Sequence, residues 1–405
     1  MPTSRESPAR LLHVWCPLPP ARTGTAVYLA EQLPHLAAQA DVVAVLDDEA
    51  AAREAAERYG IRTLTADQAL QARDGLHIIH LANNPWHAYC FRAALELSAF
   101  LVIHDMSLHH LVTEMTLAHR DKGQYLSILT SDAGTAGRRF ALQRDNGFYT
   151  ERMQFYVRCF EPVLGRARGV INHSLWAREY MRSRYGVERG TWIPHHAHIG
   201  EAAKAMTRAE ARRYFGLRED ALLVSIPGYL SPAKDVGTLL RLADDLSRDH
   251  ETEVFISGDG DVDFLDAEER AILDRLGTRI GYLSDDDFDK VFVASDFVSC
   301  LRYPTTGESS GVFAKTLAAG SIPIYLPVLG CFEPQPCGVP VPRTPEGLAE
   351  AKGTLRQLAR EPDRMSALRD RSGRMGRARN VAATVGKIWS FIDDNASADV
   401  PIMEG

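Results

Sequence analysis

Long apolar runs are missing from this chain. No stretch approaches the roughly 20 apolar residues that a helix needs to cross a bilayer, so a helical membrane span is not expected. Cysteine is scarce: Cys16, Cys90, Cys159, Cys300, Cys331 and Cys337 are the six in 405 residues. The one close pair, Cys331 and Cys337, has no matching Cys or His pair elsewhere. This argues against a zinc site and fits a reducing cytoplasm better than a disulfide framework. An excess of positive charge is missing too. Residues 1–200 carry 21 Lys and Arg against 20 Asp and Glu, and residues 201–405 carry 25 against 33, for a net charge of −7. Duplex nucleic acid selects a strongly basic face, so nucleic acid is not an expected partner. The opening MPTSRESPAR is polar, and only about eight apolar-leaning residues follow it, too few for a signal peptide. The expected compartment is the cytoplasm, with peripheral contact at a membrane left open. Neither GxGxxG nor GxxxxGK[ST] occurs where a strand meets a helix, which weakens a dehydrogenase or P-loop reading.

What is present is ordinary globular composition, 45% hydrophobic and 24% charged, at a length that suggests two domains of about 200 residues each. Short β-branched apolar runs alternate with helical patterns, as in βα units building parallel sheets. In the first half the strand candidates are Leu11–Pro17, Asp41–Leu46, Leu76–Ala82, Phe100–His104, Gly169–His173 and Gly190–Ile193. Ala26–Ala40, Ala50–Tyr59, Ala88–Ser98 and Leu175–Tyr185 have helical composition. The rhythm restarts with Ala221–Ile226, Glu253–Ser257, Arg279–Tyr282, Phe297–Leu301 and Ile322–Leu326, and Gly338–Pro342 reads as a last short strand. Pro345–Asp394 reads as mostly helical. The expected domains are therefore 1–200 and 201–405, with a linker near residue 200. About 60 residues without a strand candidate, 106–168, form a helical insertion in the first domain, longer than a βα connection needs. Arg138, Arg139, Arg144, Arg152, Arg158, Arg166 and Arg168 fall within it. They read either as a solvated helical face or as a surface facing an acceptor or phosphate.

In open parallel sheets, ligands bind beyond the carboxyl ends of the strands. The first strand runs into Pro17–Thr25, where Gly24 opens a helix and lets a ligand approach the N–H groups of its first turn. Phe100–Ile103 ends in His104, placed to donate to a substrate hydroxyl or to serve as a satisfied structural histidine. His104 and the nearby His109 lack a helical metal-ligand spacing. The strand beginning at Ala221 runs into Gly228 and then Lys234, where a lysine suits the point-charge role on a diphosphate, a surface lysine being the alternative. The strongest local signal is Arg302–Val312, RYPTTGESSGV, between a strand and the helix Val312–Ala319. Here Glu308 offers a carboxylate to sugar hydroxyls, and Ser309, Ser310, Gly311 and Val312 offer backbone N–H groups to phosphate. The alternative for this block is a serine N-cap with an acid beside it.

Taken in order, these segments resemble the family 4 retaining glycosyltransferases of the GT-B fold, over nearly the whole chain. PLPPARTGTAVY is similar to the family's first-strand glycine loop, usually close to PLPPxxSGIADY. LANNPWHAYC, VIHDMSLHH, GVINHSLWARE and WIPHH follow in the family's sequence, and RYPTTGESSGVFAKTLAAGSIPI is similar to its donor loop and helix. The resemblance implies an α/β protein of two Rossmann-like domains facing across a cleft, with the last helices packing back on the N-terminal domain. It implies transfer of a hexose-type sugar from a nucleotide-diphosphate sugar to an acceptor hydroxyl, in the synthesis of a cell-surface glycan or a glycosylated natural product. His104, Lys234 and Glu308 are the implied catalytic residues. Gly24, Gly228, Arg302, Ser309, Ser310, Gly311, Val312 and Thr316 are the implied donor-binding residues. The chain departs from the family at Tyr229, where an arginine is usual and for which Arg302 is a substitute. It departs again at Thr316, where the family places a second glutamate on the ribose. No Asp-x-Asp triad appears among these segments, and Asp285–Asp287 opens a helix instead, so no metal and no cofactor beyond the sugar nucleotide is expected. An epimerase or phosphorylase of the same architecture, or a non-catalytic sugar-nucleotide-binding protein, are the competing classes.

Overall fold

A computed structural model describes residues 10–72, 74–327 and 337–396. The chain forms two compact units: 1–194 with Thr306–Glu308 and 381–405, and 195–305 with 309–380.

In the first unit, β1 (Leu11–Trp15), β2 (Asp41–Leu46), β3 (Arg62–Thr65), β4 (Leu76–Leu81), β5 (Ala99–Ile103), β6 (Ala167–Asn172) and β7 (Gly190–Trp192) make one sheet in the order β3-β2-β1-β4-β5-β6-β7. Every pairing is parallel. The central strands are apolar on both faces because helices cover both. On one side Trp15, Ile79, Leu101 and Val170 meet Phe91 and Leu111; on the other Val14, Ile78, Phe100 and Ile171 meet Leu29, Leu33, Val385 and Ile388. Burying each such side chain contributes roughly 1.5–3 kcal/mol. The last helix, Val381–Asn395, belongs to this second core.

Between β5 and β6 the chain is helical, with His109–Thr116 and Lys122–Asp145 as the main pieces. The second of these is broken at Ala133 and Gly134. At the break, the buried carboxylate of Asp132 accepts the backbone N–H groups of Arg158, Phe160 and Glu161 and the hydroxyl of Tyr185, at 2.8–3.1 Å. The helix gives up regular hydrogen bonds there, and Asp132 uses its oxygens to fasten the returning chain.

The second unit has β8 (Leu222–Pro227), β9 (Thr252–Ser257), β10 (Gly277–Ile280), β11 (Phe297–Cys300), β12 (Ile322–Tyr325) and β13 (Val339–Pro340), in the order β10-β9-β8-β11-β12-β13, again all parallel. Helix Val236–Ser247 buries Leu239, Leu240, Leu242, Ala243 and Leu246 against this sheet, a stripe at helical spacing.

Beyond the start of β6 at Ala167 rather than Gly169, two strands depart from the sequence reading: β3 has no counterpart among the strand candidates, and β10 begins at Gly277 rather than Arg279. Both are edge strands whose residues are half-buried or exposed, so neither carries an apolar run. Cys16, Cys90, Cys159, Cys300 and Cys337 are buried free thiols, while Cys331 lies outside the described residues. Among the described residues, no helix is long and apolar enough to cross a membrane.

Candidate active site

Each sheet reverses its winding once, between β1 and β4 and between β8 and β11, and such a switch opens a crevice at the carboxyl ends of the strands. The residues singled out in sequence lie at or near these ends.

In the first unit, the turn after β1 leads into helix Gly24–Ala37, with Gly24 exposed at its start. His104 follows β5, and its Nε2 lies 2.9 Å from Nδ1 of His80 on β4. The two rings stack at 5.2 Å. Tyr28 meets His104 edge-on at 4.9 Å, and His173, just past β6, lies 5.0 Å from it. Burial, followed by the fields of His87 and His173, lowers His80 to about 3, so its ring is neutral at physiological pH. Burial pushes the Tyr28 phenol up. His104 is thus packed among Tyr28, His80 and His173. Only His104 was assigned a role from sequence; yet His80 and His173 carry the same signal, a histidine at the carboxyl end of an apolar strand. His109 serves differently, its Nδ1 on the carbonyl of Val157 and its Nε2 2.8 Å from the hydroxyl of Tyr125.

Thr306, Gly307 and Glu308 belong to this unit as well. Oε2 of Glu308 accepts the N–H and the hydroxyl of Thr306 at 2.8 and 2.7 Å. The carbonyl of Thr306 accepts Nη1 of Arg158 at 2.8 Å, and the carbonyl of Gly307 accepts the Ser174 hydroxyl at 3.1 Å. Gly307 has φ +97°, and a Cβ there would come within 2.1 Å of the Trp176 ring, so only glycine fits. Arg158, from the arginine-rich insertion, is accordingly a buried structural group that stacks over Tyr180 at 4.3 Å. Arg138, Arg139, Arg152 and Arg166 are exposed.

In the second unit β8 ends at Gly228, whose φ is +83°. A Cβ there would stand 3.0 Å from Nζ of Lys234, so the missing side chain leaves room for the ammonium. Lys234 ends a short 3-10 turn, Pro232–Lys234, and donates to the carbonyl of Pro227. Burial, and then the neighbouring charge of Arg302, lowers its pKa from 10.5 to about 7. The Tyr303 N–H donates to Ala233 at 2.7 Å and ties the turn after β11 to the turn after β8. Arg302 is exposed in that turn.

Helix Gly311–Ala319 starts behind Ser310, whose hydroxyl accepts from the N–H of Phe313 at 3.3 Å. The N-cap role is therefore real, but it takes one first-turn donor; helix geometry supplies no internal partner for those of Gly311 and Val312. Ser309, Ser310, Gly311 and Val312 are each partly exposed. Thr316 is different. It is 0% exposed, its hydroxyl donates to the carbonyl of Val312 at 2.7 Å, and Sγ of Cys300 lies 3.8 Å away. Next to it Lys315 pairs with Asp289 at 2.7 Å.

No family model and no curated protein matches the chain in sequence. Its structure is similar to that of Anabaena HepE in complex with UDP, with a TM-score of 0.63 at 13% identity, covering 95% of this chain and 100% of HepE. It is also similar to sucrose-phosphate synthase from Thermosynechococcus elongatus, with a TM-score of 0.60 at 15% identity over 95% of this chain and 99% of that one. A third likeness is WaaG, a glycosyltransferase involved in lipopolysaccharide biosynthesis, with a TM-score of 0.58 at 12% identity over 96% and 100%. Two parallel sheets of seven and six strands, each with its own switch point and matched end to end by these enzymes, give the chain the fold of the GT-B glycosyltransferases.

Proposed function

We propose that this protein is a retaining, metal-independent glycosyltransferase that moves a sugar from a nucleoside-diphosphate sugar to an acceptor hydroxyl. The observation that carries this reading is Lys234. It is a half-buried ammonium set against a glycine turn at a sheet switch point, with Arg302 in the adjoining turn. A cation held in partial desolvation is suited to a diphosphate, whose charge grows as the sugar departs. The N–H groups that open helix Gly311–Ala319 suit the same anion. HepE has also been solved with UDP-glucose, which makes a uridine-diphosphate hexose the first donor to try.

In this reading the bond from the anomeric carbon to the diphosphate oxygen breaks. A bond from the acceptor oxygen forms on the same face, and the acceptor's proton passes to the departing phosphate. His104 lies beside the transferred sugar and Glu308 holds its hydroxyls, while Gly24, Gly228 and Ser309–Val312 let backbone approach donor or acceptor. Lys234 and Arg302 supply the charge compensation a metal would otherwise give. The acceptor belongs to cell-surface glycan or natural-product synthesis.

The test is a thermal-shift panel of UDP-, GDP- and dTDP-sugars, since a ligand at 100 times its Kd stabilises by about 2.7 kcal/mol. NMR then follows the product. Transfer with the anomeric configuration kept, undiminished by EDTA, is the expected result. Epimerised sugar nucleotide, or sugar phosphate formed with inorganic phosphate, would replace this function with another; no turnover of any stabilising donor would leave a binding protein.

A further inference from the structure

The turn that carries Gly24 is tied to the end of β4 by a line of side-chain hydrogen bonds, all within the first unit. Nδ2 of Asn84 donates to Oγ1 of Thr23 at 3.4 Å, Oγ1 of Thr23 lies 3.1 Å from Oγ1 of Thr25, and Oγ1 of Thr25 lies 2.8 Å from Nε2 of His87. Nδ1 of His87 lies 2.9 Å from the carbonyl oxygen of His80.

The direction of every bond follows from chemistry. A carbonyl has no proton to give, so Nδ1 of His87 carries one. His87 is fully buried, and burial lowers its pKa to about 4, so the ring is neutral and Nε2 presents a lone pair. The Thr25 hydroxyl must then donate to Nε2 and accept from Thr23. Thr23 in turn accepts from the Asn84 amide, which has only protons to offer at Nδ2. The line runs Asn84 to Thr23 to Thr25 to His87 to His80, with no freedom to reverse while His87 stays neutral.

One consequence is visible at the helix start. Thr23 is the N-cap residue of helix Gly24–Ala37, with extended φ −137° and ψ 143°, yet its side chain makes no capping hydrogen bond. A threonine at this position ordinarily turns its oxygen to the second or third N–H of the helix. Here Thr25 occupies that hydroxyl instead.

We propose that His87 is a positioning residue, which through Thr25 and Thr23 fixes the Gly24 turn against β4 and keeps the N-cap hydroxyl away from the first helical turn. The N–H of Ala26 goes to the Thr23 carbonyl at 3.1 Å, and those of Gly24 and Thr25 are thereby kept for a ligand at Gly24. The other end of the line rests on His80, the residue bonded to His104, so one buried imidazole places both features relative to each other. What the turn would bind rests on the transferase reading; the fastening itself does not.

Three variants of the full-length protein separate the links. In His87→Gln the longer side chain reaches Thr25 with its carbonyl oxygen. In His87→Asn the shorter one reaches only the carbonyl of His80. His87→Phe reaches neither. Hydrogen exchange measured by mass spectrometry is expected to speed up at least tenfold in the segment 23–28 for Phe and Asn, and to stay within threefold of the parent for Gln. Turnover of UDP-glucose should follow the same order while the Kd for UDP changes less than threefold. Exchange in the Phe variant within threefold of the parent, or an acceleration spread evenly over helix Glu49–Tyr59 and β2, would overturn the proposal. Should the Phe variant fail to fold, Thr25→Val against Thr25→Ser tests the same bond at nearly constant volume: Val should speed exchange at 23–28 and Ser should not, and equal behaviour of the two overturns the proposal. A parent protein that turns over no sugar nucleotide would sink the transferase reading, and the exchange comparison would still decide the role of His87.

Discussion

Nδ1 of His80 and Nε2 of His104 lie 2.9 Å apart, with the two rings stacked at 5.2 Å. His104 is the partly exposed member of the pair, and His80 the buried one. If His104 acts on the transferred sugar, His104→Ala should lower turnover at least tenfold while donor affinity stays within threefold. General acid–base or electrostatic groups commonly contribute more than this. His80→Phe should reproduce part of the loss at unchanged UDP affinity, because His104 would lose the partner that orients it. Steady-state kinetics beside calorimetry with UDP separates the cases, and full activity in His104→Ala would leave it a packing residue.

Several buried histidines make the fold acid-sensitive. Burial, the leading cause in each case, lowers His77 to about 4, His80 to about 3 and His87 to about 4, and also lowers His13 and His109. A folded pKa below the usual 6.5 means the unfolded chain binds more protons between the two values. Stability is therefore complete above about pH 7 and falls as pH drops below 6.5. Each histidine contributes up to about 1.4 kcal/mol per pH unit in that window. Thermal unfolding should be flat from pH 7 to 8 and fall steeply from 6 to 5. Neither ring nitrogen of His13 hydrogen-bonds among the described residues, so His13→Phe should flatten the acid limb without loss at pH 7. A Tm independent of pH between 5 and 7 would contradict this.

Lys234→Ala should cost at least about 2 kcal/mol in transition-state stabilisation, roughly 30-fold in turnover, if the ammonium meets a partly desolvated diphosphate. Turnover within threefold of the parent rules the role out. Its pKa of about 7 gives a second readout. Above that pH the free protein loses the proton that an anion requires, so UDP binding should take up a proton at pH 7–8. Affinity should then weaken between pH 7.5 and 9, by up to about tenfold per unit. Calorimetry in buffers of different ionisation enthalpy measures the proton directly, and Lys234→Arg should abolish the uptake.

Glu308 already accepts two hydrogen bonds from Thr306 through one oxygen. Glu308→Gln preserves the shape but removes the charge that strengthens bonds to sugar hydroxyls. Sugar transfer should fall at least about tenfold, matching a loss of about 1.4 kcal/mol, with UDP binding nearly intact. Loss of UDP binding at normal fold stability would assign this loop to the nucleotide instead.

The family resemblance implies a ribose-facing position at Thr316, and the structure places it at 0% exposure with its hydroxyl committed to Val312. Thr316→Glu should therefore destabilise the free protein by at least about 2 kcal/mol, the scale for burying an uncompensated polar group. A stable variant that binds UDP more tightly than the parent would instead show that this helix can open the position to a ribose.

The sequence by itself determined the interior of both sheets and which residues follow the carboxyl ends of their strands. Runs such as His77–Ala82 and Phe100–Ile103 are buried on both faces, so local composition suffices to mark them. The polar and glycine residues that follow fall at carboxyl ends because parallel strands all point one way. Gly228 and Lys234 are legible for the same reason. Tertiary structure decided the rest. Edge strands such as β3 bury too little to leave an apolar signature, and pairing alone defines them. Strand order decided that His80, His104 and His173 meet, since β4, β5 and β6 are neighbours only through long crossovers. The bond between Thr25 and His87 closes over 62 residues. Gly307 must be glycine because Trp176, more than a hundred positions earlier, fills the space its side chain would take. Contacts between residues so distant in sequence depend on how whole elements pack, and no window along the chain encodes them.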